Sequence, residues 1–375
     1  MSKQLRIFSA VLLLMLLGYG AYIVIQNRHI VRRAALDIGS GSIKCKVADV
    51  DTQKGKIVRI VEQMWRKADF KESIARNPLR RISPSVADDG IQILKDFVAK
   101  SRKLRAKEFA AVGTQAFAEA TNGEEYFHHI RKAVGIPAVI ITQSQQARLG
   151  YEAARQHYDI PEHSMVVWDI GAATVQLTSK TRNGTYLYSL GEEASVGFKN
   201  YVIREIQHLD PNQITSPNPM SPSDTTKALE HARFLADSTT SKAMKEHIHH
   251  HGGVTVVGIG PVHAISVMNQ VLGKKWKPET ASFPDRYTVE QVREALGRRT
   301  GMTDSAIGGD FANVQITNLI LTLGYMEALG IRAVLPARIN MADGLLVTGE
   351  IKEDQSKRIP SRSPAETAPA PSPAQ

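Results

Sequence analysis

Apolar and polar positions alternate from Ala34 to Val50, and the alternation is broken only by the small polar run Asp37-Ile-Gly-Ser-Gly-Ser42. A period of two on both sides of such a run predicts two strands around a tight turn, with Ile43, Cys45 and Val47 on one face. "KIVRIVEQMW" extends the meander by a third strand. The period then changes. Apolar residues at Ile91, Leu94, Phe97, Val98 and Leu104 predict a helix over 88–105. "EFAAVGT" is a short strand, "NGEEYFHHIRKAVG" a helix stopping at a glycine, "AVIIT" a buried strand, and "SQQARLGYEAARQHY" a helix with Ser144 as its N-cap.

A second strand–turn–strand unit follows in "SMVVWDIGAATVQL", and Asn183-Gly184 predicts the next hairpin turn. A helix begins over 198–206. Four prolines in "DPNQITSPNPMSPSD" predict a loop. Further helix runs over 225–247, "GVTVVGIGPVHAIS" is a strand, glycine turn and helix, and "NVQITNLILTLGYMEALG" is a helix. Strands alternating with helices argue for an α/β fold. The repeated opening unit argues for two related halves, and the domains are expected at 34–165 and 166–350.

The ends differ from the body. Ile7 to Ile25 is apolar and uncharged for nineteen residues, long enough to cross a hydrocarbon core. Residues 1–33 are therefore expected to hold a single membrane anchor, with a cleaved signal segment as the rival. Lys3 and Arg6 precede the span, and Arg28, Arg32 and Arg33 follow it. That balance leans toward a cytoplasmic body, with an exported, periplasmic body as the alternative. Residues 351–375 are poor in large apolar side chains and rich in proline, the composition of a disordered tail.

With 375 residues and a formal charge of +10, the chain suits an anionic partner. It has no zinc-finger spacing and no aromatic-interleaved basic stripe, so nucleic acid is not expected. A single cysteine excludes a disulfide framework, and Cys45 reads as a buried thiol. A homodimer is compatible with the sequence.

Three glycine-bearing turns follow three apolar strands: Gly39-Ser40-Gly41-Ser42, Gly171-Ala172-Ala173-Thr174 and Gly258-Ile259-Gly260. Small residues there let backbone N–H groups approach phosphate. Asp37 and Asp169 stand just before two of the turns, and paired carboxylates so placed can hold Mg²⁺ against phosphate oxygens. Five blocks, "ALDIGSGSIKCKVADV", "VGTQAFAEATNG", "ITQSQQARLGYEAA", "VVWDIGAATVQL" and "VVGIGPVHAIS", resemble in order those of the Ppx/GppA family, the exopolyphosphatases and guanosine pentaphosphate phosphatases. The resemblance spans 34–349. It implies the two-domain actin-like ATPase fold of sugar kinases and large heat-shock chaperones, with an interdomain phosphate cleft. It also implies Mg²⁺-dependent hydrolysis of terminal phosphoanhydrides, with polyphosphate or a phosphorylated guanine nucleotide as substrate.

The departures fall at the implied cleft. Gln145-Gln146-Ala147-Arg148 stands where the family pattern has Glu-Glu-Ala-Arg and its general base. Gln176 replaces a second carboxylate, Ala118 an arginine, and Gly260-Pro261-Val262 a Gly-Gly-Thr turn. Gln145 or Gln146 can still place a water, as glutamine does in some GTPases. Ala172 and Ala173 would each cost about 1 kcal/mol in a left-handed turn. The expected activity is thus a weakened phosphatase, with an inactive, membrane-anchored phosphate-ligand binder as the alternative and a sugar-kinase-like ATPase behind both.

Other features have plainer readings. His247, His249, His250 and His251 look like a metal tract but read as a solvated helix end. Lys44 and Lys46 flank the first turn and either reach phosphate or face solvent. Arg76, Arg80 and Arg81 form a basic loop that could steer anions. Glu192 and Glu193 are candidate replacements for the lost carboxylates.

Overall fold

The computed structural model describes residues 29–250, 253–275, 286–309 and 311–349. The apolar run 7–25 and the tail 351–375 lie outside them. Among the described residues no helix is long and apolar enough to cross a membrane.

Two mixed sheets form the frame. The first contains β1 (Ile30–Ile38), β2 (Ser42–Asp51), β3 (Lys56–Lys67), β4 (Glu108–Gly113) and β5 (Ala138–Ile140), in the order β3-β2-β1-β4-β5. The second contains β6 (Met165–Ile170), β7 (Val175–Lys180), β8 (Tyr186–Gly191), β9 (Thr255–Ile259), β10 (Tyr287–Thr288) and β11 (Ala333–Ala337), in the order β10-β11-β9-β6-β7-β8. In each sheet an antiparallel three-strand meander is followed by a strand parallel to the first: β4 beside β1, and β9 beside β6. The two halves read from the sequence are thus two copies of one topology. This is the mixed-sheet α/β architecture expected of the actin-like fold.

The predicted elements map closely onto the observed ones. The 88–105 periodicity belongs to the helix Pro84–Lys103, which buries Ile91, Leu94, Phe97 and Val98. Gly135 ends the helix Gly123–Val134 with φ of 65°. Phe70, Phe117, Tyr126 and Phe127 pack as an aromatic cluster under the first sheet. Each large apolar side chain so buried contributes about 1.5–3 kcal/mol. Beneath the second sheet, the helix Ala312–Ala328 is buried along most of its length, which explains its nearly all-apolar sequence. Cys45 is buried, and burial pushes its thiol up to about 11, so it is inert packing.

Two helices couple the halves. The helix Gln143–His157 lays Tyr151, Ala153 and Ala154 against β6 and β9. The helix Met341–Thr348 follows the last strand of the second sheet but packs Leu345 and Leu346 on Ala35, Val50, Val112 and Val139 of the first. They cross at Gly344, where a Cβ would lie 1.9 Å from the carbonyl oxygen of Leu149, so only glycine permits the approach. Lys46 is a structural correction to its reading as phosphate-reaching or solvent-facing. It is buried, its Nζ 2.7 and 2.5 Å from the two carboxylate oxygens of Asp343 in the returning helix.

Candidate phosphate-binding site

The two Asp-led hairpins have the same local geometry. In the first, the N–H of Gly39 donates to the Ser42 carbonyl at 2.9 Å; in the second, Gly171 donates to Thr174 at 2.9 Å. Each closes a four-residue turn between paired strands: Ile38 faces Ile43, and Ile170 faces Val175. The register then puts Asp37 opposite Lys44 and Asp169 opposite Gln176. Lys44 and Gln176 are therefore the same structural position in the two halves.

The turns are held from behind. Lys71 N–H donates to Ser40 O and Ala68 N–H to Gly41 O, while Ser195 and Val196 N–H donate to Gly171 O and Ala172 O. The N–H groups of Ser40, Gly41, Ala172 and Ala173 have no acceptor among the described residues. Anchored carbonyls with unused N–H groups make an anion cradle. Neither Ala172 nor Ala173 has a positive φ. The strain expected of them on a left-handed turn is absent, because this closure keeps them in ordinary conformations. Gly260 of the third turn does need glycine: its φ is 82°, and a Cβ would lie 2.7 Å from Asp169 Oδ1.

The carboxylates sense one another. Burial pushes Asp169 up to about 7; Lys44 partly opposes the shift, and the negative charge of Asp37 adds to it. Asp37 is buried, and Lys44 Nζ lies 3.4 Å from its Oδ2. The structure thus brings Asp37, Lys44, Asp169 and Gly260 together. Gln176 is 2% exposed; its Nε2 donates to Thr174 Oγ1 at 3.2 Å, and its Oε1 is buried without a partner.

The two candidate water-placing glutamines separate. The N-cap of their helix is Thr142, not Ser144, and it forms a capping box with Gln145: Thr142 N–H donates to Gln145 Oε1 at 2.8 Å and Gln145 N–H to Thr142 Oγ1 at 3.2 Å. Gln145 is exposed and committed to the helix end. Gln146 lies one turn before Gly150, whose absent Cβ would meet Ile259 Cδ1 at 2.8 Å. Residues four apart share a helix face, so Gln146 is on the side toward β9 and the Gly260 turn.

Several weaker candidates have partners elsewhere. Glu193 accepts from His231 Nε2 across 3.1 Å, and Glu192 lines an outer groove. Arg80 and Arg81 pair with Glu119 and Glu125, and Arg76 pairs with Glu72. His247 is buried with its Nε2 2.7 Å from Ser179 Oγ, so this member of the tract is not solvated, while His251 lies outside the described residues. Among the described residues no three His, Cys, Asp or Glu side chains cluster to hold a metal. Ala118, at the position of the implied arginine, is exposed on the short helix Gln115–Glu119. A groove of about 510 Å³ lies at the other end of β1 and β4, lined by Arg33, Lys107 and Gly349.

The donor set fits Mg²⁺ only as shared with a ligand. Two carboxylates and the orphaned Gln176 oxygen are hard oxygen donors. Mg²⁺ characteristically takes one or two carboxylates, with phosphate oxygens and waters completing its octahedron.

Comparison with known proteins agrees with the resemblance read from the sequence. Residues 46–190 match the family model described as the Ppx/GppA phosphatase family. A Ppx/GppA family member from Aquifex aeolicus superposes with a TM-score of 0.71 at 17% identity, over 87% of this chain and 99% of that one. An exopolyphosphatase from Cytophaga hutchinsonii gives 0.64 at 15% identity, over 85% and 97% of the two chains.

Proposed function

We propose, from the premise that this chain belongs to the Ppx/GppA phosphatase family through residues 46–190, that its cleft binds the phosphoanhydride chain of polyphosphate or guanosine pentaphosphate and hydrolyses the terminal phosphate slowly. One observation carries the reading. Asp37 and Asp169 occupy the same place in two matching hairpins, and burial raises the pKa of Asp169, the charge of Asp37 adding to the shift.

The unused N–H groups of both turns cradle phosphate oxygens, and Lys44 offers positive charge beside them. Mg²⁺ held by Asp37 and Asp169 would neutralise charge on the phosphate oxygens. Gln146 orients the attacking water but cannot take its proton as a base. Loss of that help lowers a rate by about 10²–10⁴-fold, and the absent arginine at Ala118 lowers it further by weakening charge stabilisation. The apolar run 7–25 supports attachment of this cleft to a membrane.

A second reading, that the cleft holds its ligand without turnover, is favoured by the capping role of Gln145 and the engagement of Glu193 with His231. The first removes a candidate water-placing group and the second a candidate base. Phosphate release from polyphosphate and from guanosine pentaphosphate, measured with Mg²⁺, separates the two. Slow release that is lost in Asp37→Ala/Asp169→Ala supports the hydrolase. No release, with a rise in Tm on ligand addition that the double variant lacks, supports the holder. Neither signal overturns both.

A further inference from the structure

Asp37 and the first phosphate turn lie at one end of β1. The other end, at Ile30, is where the chain arrives from the apolar run 7–25. Ile30 pairs with Asp51, and Asp51 with Lys56. Lys107 N–H donates to Arg32 O at 2.8 Å, and Arg32 Nη1 donates to Leu104 O at 2.7 Å. The turn after the helix Pro84–Lys103 therefore packs beside the same strand end. Arg102 Nη2 donates to Val134 O at 3.3 Å and brings in the end of the helix Gly123–Val134.

The charge at this end is one-sided. Lys56, Lys103, Arg105, Lys107 and Lys132 are exposed, and none of them has an ion pair among the described residues. The nearby carboxylates are already matched: Asp49 by Arg32 and Arg59, Asp51 by Lys54, and Glu108 by Arg33. Lys103 and Lys132 stand in last helical turns, where the helix dipole favours cations. Lys56 stands on a strand and Arg105 and Lys107 on a turn, so helix ends do not account for the cluster. Arg76, Arg80 and Arg81, by contrast, are spent on Glu72, Glu119 and Glu125.

The connection to the apolar run is short. Ile25 and His29 are separated by four residue steps, and an extended chain covers at most about 14 Å in that length. Whatever surface holds the run lies within that reach of the basic end. Asp37 is seven residues further along β1 than Ile30, roughly 23 Å at the rise of a strand.

Resting on the reading that the apolar run attaches the chain to a membrane, we propose that this basic end seats on anionic lipid headgroups, with the phosphate cleft facing away from the bilayer. Lys103, Arg105 and Lys107 make the contact, and Lys56 and Lys132 flank it. Each Lys or Arg near an anionic bilayer surface raises association about fivefold. A short tether keeps the cations at high effective concentration beside the headgroups.

The test uses the full chain in vesicles of phosphatidylcholine, with or without phosphatidylglycerol, carrying a quencher on the headgroups. A fluorophore is placed on Gln53→Cys, in the exposed turn at the basic end, or on Lys67→Cys, opposite Ser42 at the cleft end. The buried Cys45 stays unlabelled. Quenching of the Gln53 label is expected to be several-fold stronger with phosphatidylglycerol. It should fall to the neutral-lipid level near 1 M salt, where the Debye length is about 3 Å. Lys103→Glu/Lys107→Glu loses the excess, and Lys103→Gln/Lys107→Gln, should the first variant fold poorly, loses part of it. The Lys67 label stays unquenched throughout. Equal quenching in the two lipids, or stronger quenching of the Lys67 label, overturns the docking and leaves the anchor standing. Release of the chain from neutral vesicles overturns the anchor. Retention on anionic vesicles alone, lost in Lys103→Glu/Lys107→Glu, then still supports the basic face, and release from both overturns both.

Discussion

Asp169 sits on β6 with its carboxyl desolvated by burial, Lys44 partly offsetting the cost of its charge and Asp37 adding to it. Its carboxyl is consequently raised to about 7, against about 3.9 in an unfolded chain. The native state keeps a proton that the unfolded state has released between those values. Its contribution to stability is present in full below the unfolded value and is lost as pH rises through the folded one. The ligand-free protein should therefore melt at lower temperature at about pH 8 than at about pH 6, and Asp169→Asn should remove most of that slope. Thermal denaturation of both proteins across the window checks this; equal slopes in the two would contradict it. Gln145 carries a different lesson. Thr142-x-x-Gln145 is a capping-box pattern written in the sequence. It assigns the side chain to the helix end, which the family pattern alone, with its catalytic glutamate in this run, does not reveal.

At the scale of elements, the hairpins were legible because their signals are local: alternation, a small-residue turn, and an Asp before it. The helix Met341–Thr348 was not, since nothing within "INMADGLLVTG" says that it returns to the first sheet. Its partner Lys46 lies 297 positions earlier. Period-two alternation put Lys46 on a solvent face; in fact the returning helix covers that face and neutralises the ammonium. The same carboxylate closes the cap of its own helix, accepting from Asn340 N–H at 2.8 Å. Asp343→Ala leaves the buried Lys46 unpaired and should cost about 3–5 kcal/mol, whereas Lys46→Met/Asp343→Leu should cost much less. Denaturant unfolding of the two variants decides. Equal losses would mean that the capping function, not the ion pair, dominates.

Over the whole molecule, the two sheets repeat one design, and the repeat explains which parts of the site could be read in advance. Asp37, Asp169 and the three turns follow strands of like sequence, so their convergence follows from the topology. The pairing of Glu193 with His231 was hidden because the two meet only through tertiary packing. The equivalence of Lys44 with Gln176 was likewise invisible until strand register was known. It casts the cleft as asymmetric, with a cation at one hairpin and a neutral amide at the other.

The most direct test of the central claim, that a family cleft survives here with its proton-accepting side chain replaced, is to restore carboxylates. Phosphate release from polyphosphate with Mg²⁺ would be measured for the native chain, for Gln146→Glu/Gln176→Glu and for Gln145→Glu. The account predicts a rise of about 100-fold or more in the double variant, abolished by adding Asp169→Asn, and no rise for Gln145→Glu. A double variant no faster than the native chain, or an equal gain from Gln145→Glu, would contradict it.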